Sequence, residues 1–333
     1  MYQSPQPIIS PLVDNHSRVI DYLRVSITDR CNLRCSYCMP KNGIIPVPHK
    51  ELLSYEELER IISLFLTLGI KKVRLTGGEP FVRRGCVEFI ERLIVHVGVP
   101  RLHITTNGVA VGPHLSRLHQ LGIAGLNLSL DSVDRKRFSA MTRRDVLTEV
   151  LDTLHRAVTL GIAVKINCVV TDNTLDSDMT AVAQFAKQYP VSVRFIEQME
   201  FSGDRDGHLP DEPLLARFGR LFPDLSSISQ TGPTTARLFA GHDYCGTVGI
   251  IEGHSRQFCA TCNKVRITPQ GRLKTCLYDG GTLDIKKLLR DGIDDGALIT
   301  ILKTSCRNRF ANGYEAQAHN SGRRSPSMAS IGG

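Results

Sequence analysis

The sequence predicts an α/β fold, a partial (open) β/α barrel with about six parallel strands. Three observations predict it. Six strand-like runs alternate with helical intervals. The phrase Leu-Gly-Ile occurs three times, each time just ahead of such a run, and the chemically unusual residues gather after the C-terminal ends of the runs. Alternating strands and helices signal a parallel sheet with crossover helices.

The first strand spans Leu23–Ile27. The helix before the second strand is well marked: Ser54 and Glu57 form a capping-box pattern, and Leu58, Ile61, Ile62, Phe65 and Leu66 form an apolar stripe at helical spacing. It ends in "LGIKKVRLTGG", where Gly69 suits the position just past a helix C-terminus. The second strand follows at Val73–Thr76 and the third at Leu102–Thr106. "LGIAGLNLSLDS" and "LGIAVKINCVV" repeat the device with Gly122 and Gly161, giving strands at Gly125–Ser129 and Val164–Val170. A sixth strand is expected at Val193–Gln198. Six units fall short of the eight that close a barrel, so the array stays open.

Beyond about residue 210 this pattern gives way to Gly-, Pro- and Ser-rich sequence. The expected division is an N-terminal arm (1–20), the barrel (21–210), a C-terminal region (211–315) and a tail (316–333). The tail, with its "AHNSGRRSPSMASIGG" ending, reads as unstructured by composition.

The chain has 333 residues and is 41% hydrophobic, enough for a large core. No stretch approaches the roughly 18 apolar residues of a membrane span. The start, "MYQSPQPIISPLVDNHSR", lacks a basic n-region, and Pro5, Pro7, Pro11 and Asp14 break any secretory core, so a cytoplasmic protein with no membrane partner is expected. The net charge of +8 suits a polyanionic partner. There is no Trp and the basic residues are dispersed, which argues against nucleic acid and leaves a phosphorylated small molecule.

Ten cysteines in a large chain of this kind point to metal or redox chemistry. Cys86, Cys168, Cys245 and Cys306 are scattered and read as plain thiols. The other six form two groups. "DRCNLRCSYCMP" holds Cys31, Cys35 and Cys38 in a Cys-x3-Cys-x2-Cys pattern after the first strand. "FCATCNKVRITPQGRLKTC" holds Cys259, Cys262 and Cys276. Each group supplies three ligands where zinc sites and ordinary cubanes take four. A zinc site completed by His49, His96 or His103 is one alternative for the first group, and a zinc ribbon or a redox pair for the second.

The remaining motifs share the first group's location. "TGGEP" (Thr76–Pro80), "TTNG" (Thr105–Gly108), "SLDS" (Ser129–Ser132) and "EQM" (Glu197–Met199) end successive strands, and Lys165 and Asn167 lie within the fifth. In such arrays the loops after the strands build the site.

Cys-x3-Cys-x2-Cys in this setting resembles the radical S-adenosylmethionine (SAM) superfamily. That resemblance implies a [4Fe–4S] cluster whose open iron chelates SAM and whose electron yields a 5′-deoxyadenosyl radical. Gly77 and Gly78 would allow close backbone approach, and Glu79 would bring a carboxylate near the SAM ammonium. With the second group and the C-terminal Gly-Gly, the chain from about Asp21 to Gly333 resembles the molybdenum cofactor biosynthesis protein A family of GTP 3′,8-cyclases.

This second resemblance implies two [4Fe–4S] clusters and the conversion of GTP to 3′,8-cyclo-7,8-dihydro-GTP, with the guanine on the second cluster. It implies GTP contacts at Arg24, Arg74, Thr105, Lys165, Lys264, Val265 and Arg266, and SAM contacts at Tyr37, Gly78, Ser129 and Met199. Guanidinium forks and lysine charges are the groups a triphosphate calls for. The family usually reads Asn-Arg-x-Arg where this chain has Asn263-Lys264-Val265-Arg266. Lysine keeps the charge and loses the fork. Gly332 and Gly333 match a family ending thought to reach the active-site cavity, where Arg323 or Arg324 would approach the substrate. The implied partners are a reducing electron donor, a downstream cyclic pyranopterin monophosphate synthase and, in a homodimer, a second copy. Rival readings are another two-cluster radical SAM enzyme such as a peptide-modifying maturase, an iron–sulfur electron carrier, and a zinc-dependent nucleic-acid module.

Overall fold

The computed structural model describes residues 11–199, 212–230, 232, 234–320 and 328–331. All six expected strands form: β1 Tyr22–Ser26, β2 Lys72–Thr76, β3 Leu102–Thr106, β4 Gly125–Ser129, β5 Val164–Val170 and β6 Ser192–Glu197. Each pairs in parallel with the next. The later chain adds β7 Ser226–Ser227, β8 Arg237–Ala240, β9 Thr247–Ile251, β10 Lys264–Ile267, β11 Arg272–Lys274 and β12 Leu283–Asp284. All belong to one twelve-stranded open sheet, ordered β12-β11-β10-β1-β2-β3-β4-β5-β6-β9-β8-β7.

Two of the later strands are parallel extensions of the barrel. β9 lies on β6 and β10 on β1, so the parallel array runs β10-β1-β2-β3-β4-β5-β6-β9, two strands longer than expected. The Gly- and Pro-rich composition past residue 210 hid them, because short strands set between turns carry little periodicity.

The helix Tyr55–Thr67 starts as its sequence dictates. Ser54 Oγ accepts from Glu57 N (3.1 Å), and Glu57 Oε2 accepts from Ser54 N (2.7 Å). Gly69, Gly122 and Gly161 adopt φ of +91°, +73° and +74°, so the repeated phrase does end helices in the left-handed conformation. One face of the sheet is apolar: Leu23, Val25, Val73, Leu75, Ile104, Leu126, Ile166, Val193, Ile250 and Val265 are buried against the helices. Alternation then turns Arg24, Arg74, Thr105, Asn127, Lys165, Arg194 and Arg266 to the opposite, concave face.

The tail departs from its composition. Residues Gly313–His319 are helical with Ala316 fully buried, and Met328–Ile331 form a further helical turn whose Ile331 is 2% exposed. Burial of these two apolar side chains overrides the polar average. Gly332, Gly333, Arg323 and Arg324 lie outside the described residues.

Candidate active site

Cys31, Cys35 and Cys38 occupy the loop leaving β1, and the ends of β2, β3 and β4 hold that loop in place. Gly78 N donates to Thr28 O (2.7 Å) and Glu79 N to Arg30 O (2.8 Å). A Cβ on Gly78 would sit 2.3 Å from Arg30 O, and one on Gly77 2.7 Å from Thr28 O. The two glycines therefore admit the backbone of the cysteine loop itself. Glu79 is fully buried, accepting from Thr106 Oγ1 (2.8 Å), Asn107 N (2.7 Å) and Phe81 N (3.2 Å). Burial raises its pKa to about 7 despite those bonds. The carboxylate thus locks the β2 and β3 loops together. From the β3 loop, Asn107 Nδ2 donates to Asn32 Oδ1 (2.7 Å) and approaches Cys31 Sγ at 3.6 Å.

Tyr37 is oriented from β4: its hydroxyl donates to Asp131 Oδ2 (2.9 Å), and Asp131 Oδ1 accepts from Val169 N (2.8 Å). Burial pushes Asp131 up to about 6. Ser129 ends β4 on the concave side, and Met199 packs beside Gly253, where a Cβ would meet its Cγ at 2.8 Å. Glu197 Oε2 accepts from His254 N (2.8 Å), tying β6 to the chain after β9. A cavity of about 310 Å3 opens beside Cys31, lined by Asp29, Arg30, Arg34, Met39, Ile44 and Pro46.

The concave face below this rim is cationic. Register sets Arg24 beside Arg74 and Arg266, Asn127 beside Lys165, and Lys72 and Lys264 either side of Tyr22. Arg74 Nη1 donates to Thr105 Oγ1 (3.3 Å). Among the described residues, no carboxylate pairs with Lys72, Arg74, Lys165 or Arg194. Burial, then Arg194, Lys72, Arg74 and Arg101, pull Lys165 down to about 7. Burial and Arg74 do the same to Lys72, which also falls to about 7. Burial and Arg266 bring Arg24 to about 9. His103 sits among them, held neutral with its pKa pushed to about 2 by burial and then by Lys72, Arg74, Lys165 and Arg101. Both its ring nitrogens, Arg74 Nε, Arg194 Nε and Asn127 Oδ1 are buried with no hydrogen-bond partner among the described residues. A face of like charges with orphaned donors calls for an anion.

Lys72 and Arg194 are absent from the expected site residues; His103 enters there only as an alternative zinc ligand, and Asn107 and Asp131 lie within the "TTNG" and "SLDS" motifs without a role of their own. The signal for the cations was present: Lys72-Val73-Arg74 and Lys264-Val265-Arg266 repeat one phrase, and Arg194 falls at the same alternate position on its strand. Val265 is fully buried in the helix-facing core, so its side chain, unlike those of Lys264 and Arg266, faces away from the concave side.

The second cysteine group lies at the β10 edge of the same face. Cys259 and Cys262 precede β10, and the antiparallel β10–β11 pair returns the chain to Cys276. Asp279 Oδ2 accepts from Thr275 N (2.7 Å) and Cys276 N (2.8 Å), fixing that return. Lys264 Nζ donates to Thr235 Oγ1 (2.8 Å) and lies 5.6 Å from the Tyr22 ring centre.

Both groups fit iron–sulfur cubes. None of the six is in a disulfide. Within each group the sulfurs feel one another: Cys35 is raised by burial and then by Asp131, Cys38 and Cys31, and Cys276 rises to about 11 by burial with help from Asp279, Cys262 and Cys259. N–H donors for a thiolate stand ready, from Leu33 N and Asn107 to Cys31 Sγ and from Arg309 to Cys262 Sγ. Among the described residues, no three His, Cys, Asp or Glu side chains converge on a single-ion position, as a zinc site requires. His103 sits on β3 beside Arg74 and Gly125, away from the cysteine loop. Thiolates that each hold a separate iron need no common centre.

An open parallel sheet with a three-cysteine loop after its first strand defines a radical SAM protein, and residues 25–186 match the radical SAM superfamily model. Residues 191–314 match the family model described as Molybdenum Cofactor Synthesis C. The GTP 3′,8-cyclase of Heliobacterium modesticaldum is 38% identical over 300 residues, covering 88% of this chain and 91% of that protein. The mitochondrial GTP 3′,8-cyclase of Arabidopsis thaliana is 35% identical over 309 residues, covering 92% and 79%. The chain belongs to the GTP 3′,8-cyclase family. Among solved structures, Streptococcus suis SuiB shares the fold at TM-score 0.60 and 15% identity, over 90% of this chain and 72% of that one. Methylornithine synthase does so at TM-score 0.53 and 18% identity, over 85% and 86%.

Proposed function

We propose that this chain is a radical SAM lyase that converts GTP to 3′,8-cyclo-7,8-dihydro-GTP, the first step of molybdenum cofactor biosynthesis. One observation carries the reading. A single concave face joins a three-cysteine loop at its rim, a buried row of cations in which Lys72, Arg74, Lys165 and Arg194 have no carboxylate partner among the described residues, and a second three-cysteine group at its edge. Cys31, Cys35 and Cys38 would hold one [4Fe–4S] cluster, and Cys259, Cys262 and Cys276 the other, each with one iron left for a small molecule. When bound, the first cluster supplies the electron that cleaves SAM to the 5′-deoxyadenosyl radical.

The protein's own part is positioning. Tyr37, Gly77, Gly78, Ser129 and Met199 surround the SAM side of the rim. Glu79 acts chiefly by holding that rim together, since its oxygens already have partners. Arg24, Arg74, Lys165 and Arg266 supply charge for a triphosphate, Thr105 orients Arg74, and Lys72 and Arg194 extend the same surface. Residues 21–210 would make the radical, and 211–315 would hold the substrate. An electron donor and a downstream cyclic pyranopterin monophosphate synthase complete the setting, with a cytoplasmic homodimer as the working form. Among the described residues, no helix is long and apolar enough to cross a membrane.

A second reading, a peptide-modifying maturase, draws on the likeness to SuiB bound to its precursor peptide SuiA (TM-score 0.56, 14% identity). At that identity the likeness concerns the fold alone. After Cys276 only Cys306 follows, and it is fully buried, so the chain offers no further cluster ligand there.

Anaerobic incubation with GTP, SAM and a reductant, following 5′-deoxyadenosine and cyclised product, tests the reaction. Replacing Cys31, Cys35 and Cys38 by Ala should remove about four Fe per chain and all 5′-deoxyadenosine. A triple variant that still cleaves SAM ends the radical reading. Arg24→Ala, Arg74→Ala and Lys165→Ala should each weaken GTP binding by about 1.5–3 kcal/mol, roughly ten- to hundred-fold, and guanosine far less. Equal losses for nucleotide and nucleoside would remove the triphosphate role.

A further inference from the structure

Behind the second cysteine group three charged side chains are buried together, and the proposed reaction uses none of them. Asp14, Arg18 and Arg309 are 6%, 8% and 6% exposed. Asp14 Oδ2 accepts from Arg18 Nε (2.7 Å) and Arg309 Nη1 (3.3 Å). Arg18 Nη1 donates on to Cys259 O (3.0 Å) and Ala311 O (2.8 Å), and its Nη2 to Phe310 O (2.7 Å). Arg309 donates from Nε to Thr275 O (3.0 Å), from Nη1 to Cys262 O (2.9 Å), and from Nη2 to Lys264 O (3.1 Å) and Cys262 Sγ (3.4 Å). The two guanidiniums thus grip the backbone at Cys259, at Cys262 and one residue before Cys276.

The charge count is the second observation. Two buried cations share one carboxylate, leaving an excess positive charge that burial penalises. The excess is aimed at a sulfur. Arg309 Nη2 lies 3.4 Å from Cys262 Sγ, so the charge reaches a residue assigned as a cluster ligand. A bracket that only fastened the chain's ends would need the carbonyls and not the sulfur.

We propose that Arg309, anchored by Asp14 and Arg18, is a positioning residue for the second cysteine group: it holds the Cys262 sulfur in place and, by donating to it, sets the reduction potential of the cluster held there. The proposal rests on the assignment of Cys259, Cys262 and Cys276 as ligands. Hydrogen bonds to ligand sulfurs and nearby net charge govern iron–sulfur potentials. A donor on the sulfur favours the more negative, reduced state, so Arg309 raises the potential. Outer partners of metal ligands typically change metal affinity by about ten- to hundred-fold.

The test uses the full chain with Cys31, Cys35 and Cys38 replaced by Ala, so that only the second site loads. In this background Arg309→Gln should shift the potential, read by a redox titration followed by electron paramagnetic resonance, to a lower value. It should also weaken iron retention against a chelator by about ten- to hundred-fold. Arg309→Lys, which keeps the charge without the fork, should fall between. Asp14→Asn leaves Arg309 in place without its anchor and should weaken iron retention in the same direction, while the loss of the Asp14 charge acts on the potential in the opposite sense. An unchanged potential and iron retention in Arg309→Gln overturns the proposal; should that variant fail to fold, unchanged iron retention in Asp14→Asn does so. A Cys262→Ala control that keeps the second cluster overturns the ligand assignment, and this proposal with it. Cluster loss in that control alongside unaffected Arg309→Gln overturns this proposal alone.

Discussion

Lys72 and Lys165 show how one residue's burial sets two opposite pH dependences. Both are pulled from 10.5 to about 7, chiefly by burial and then by neighbouring cations. A lysine whose folded pKa is depressed destabilises the fold wherever it must carry its proton there. That penalty is complete below about pH 7 and is relieved as pH rises toward 10.5. Nucleotide-free protein should therefore gain thermal stability over that window, and a Lys72→Met, Lys165→Met double variant should gain much less. Triphosphate binding runs the other way, because it needs the charged amines. Above pH 7 the site must take up protons to bind, so GTP affinity should fall by up to about tenfold per pH unit for each proton linked. Calorimetry in buffers of different ionisation heat reads that proton count directly, and a count of zero at pH 8 would remove the lysines from phosphate binding. Lys165 could be read from sequence because a lone mid-strand cation is costly. Lys72 repeats the Lys-Val-Arg phrase of β10, but its neighbours and those of His103 come from strand register, which no local pattern prints.

At the scale of elements, the loop after β2 works as a clasp on the cysteine loop. The sequence marks Gly77 and Gly78 as points of close approach for the cofactor, and the structure brings the chain's own Thr28–Arg30 backbone against them. Sequence alone could not distinguish a ligand from a neighbouring loop, since both demand the same missing Cβ. Gly78→Ala must displace Arg30 O from 2.3 Å, and a backbone atom cannot swing aside. We expect a loss of about 1–3 kcal/mol in stability, as overpacking typically costs. Iron should be lost from the first site but not the second, read by iron content in single-site backgrounds. Glu79→Gln tests the same clasp by chemistry. It keeps the acceptor oxygen but sets an amide against Asn107 N or Thr106 Oγ1, where a carboxylate oxygen now accepts. SAM binding should weaken while the second cluster keeps its iron. Normal SAM affinity in this variant would show that the Glu79 bonds are dispensable to the rim.

For the whole molecule, the decisive feature is where the later chain goes. The two family models divide the sequence at residues 25–186 and 191–314, and the change of composition falls near the same place. The sheet does not respect that division: β10 adds to β1 at one end of the early strands, and β9 adds to β6 at the other. Sequence reading found the six early strands because helical intervals separate them. It missed the clamp because strand pairing across most of the chain leaves no local mark. The clamp also explains how one face can carry both cysteine groups, since β10 brings Cys262 and Arg266 to the edge beside Arg24. A chain ending at residue 198 would expose the parallel edges of β1 and β6 together, and such open edges pair with other chains. It would also uncover Val193, Phe195 and Leu23, which are fully buried in the whole protein. We therefore expect the 1–198 fragment to aggregate and the full chain to unfold in one cooperative transition across the sheet. Supplying 191–333 as a separate chain during refolding should recover soluble, paired material. A fragment that stays monomeric and unfolds cooperatively by itself would show that the early strands form an independent unit and that β9 and β10 merely decorate it.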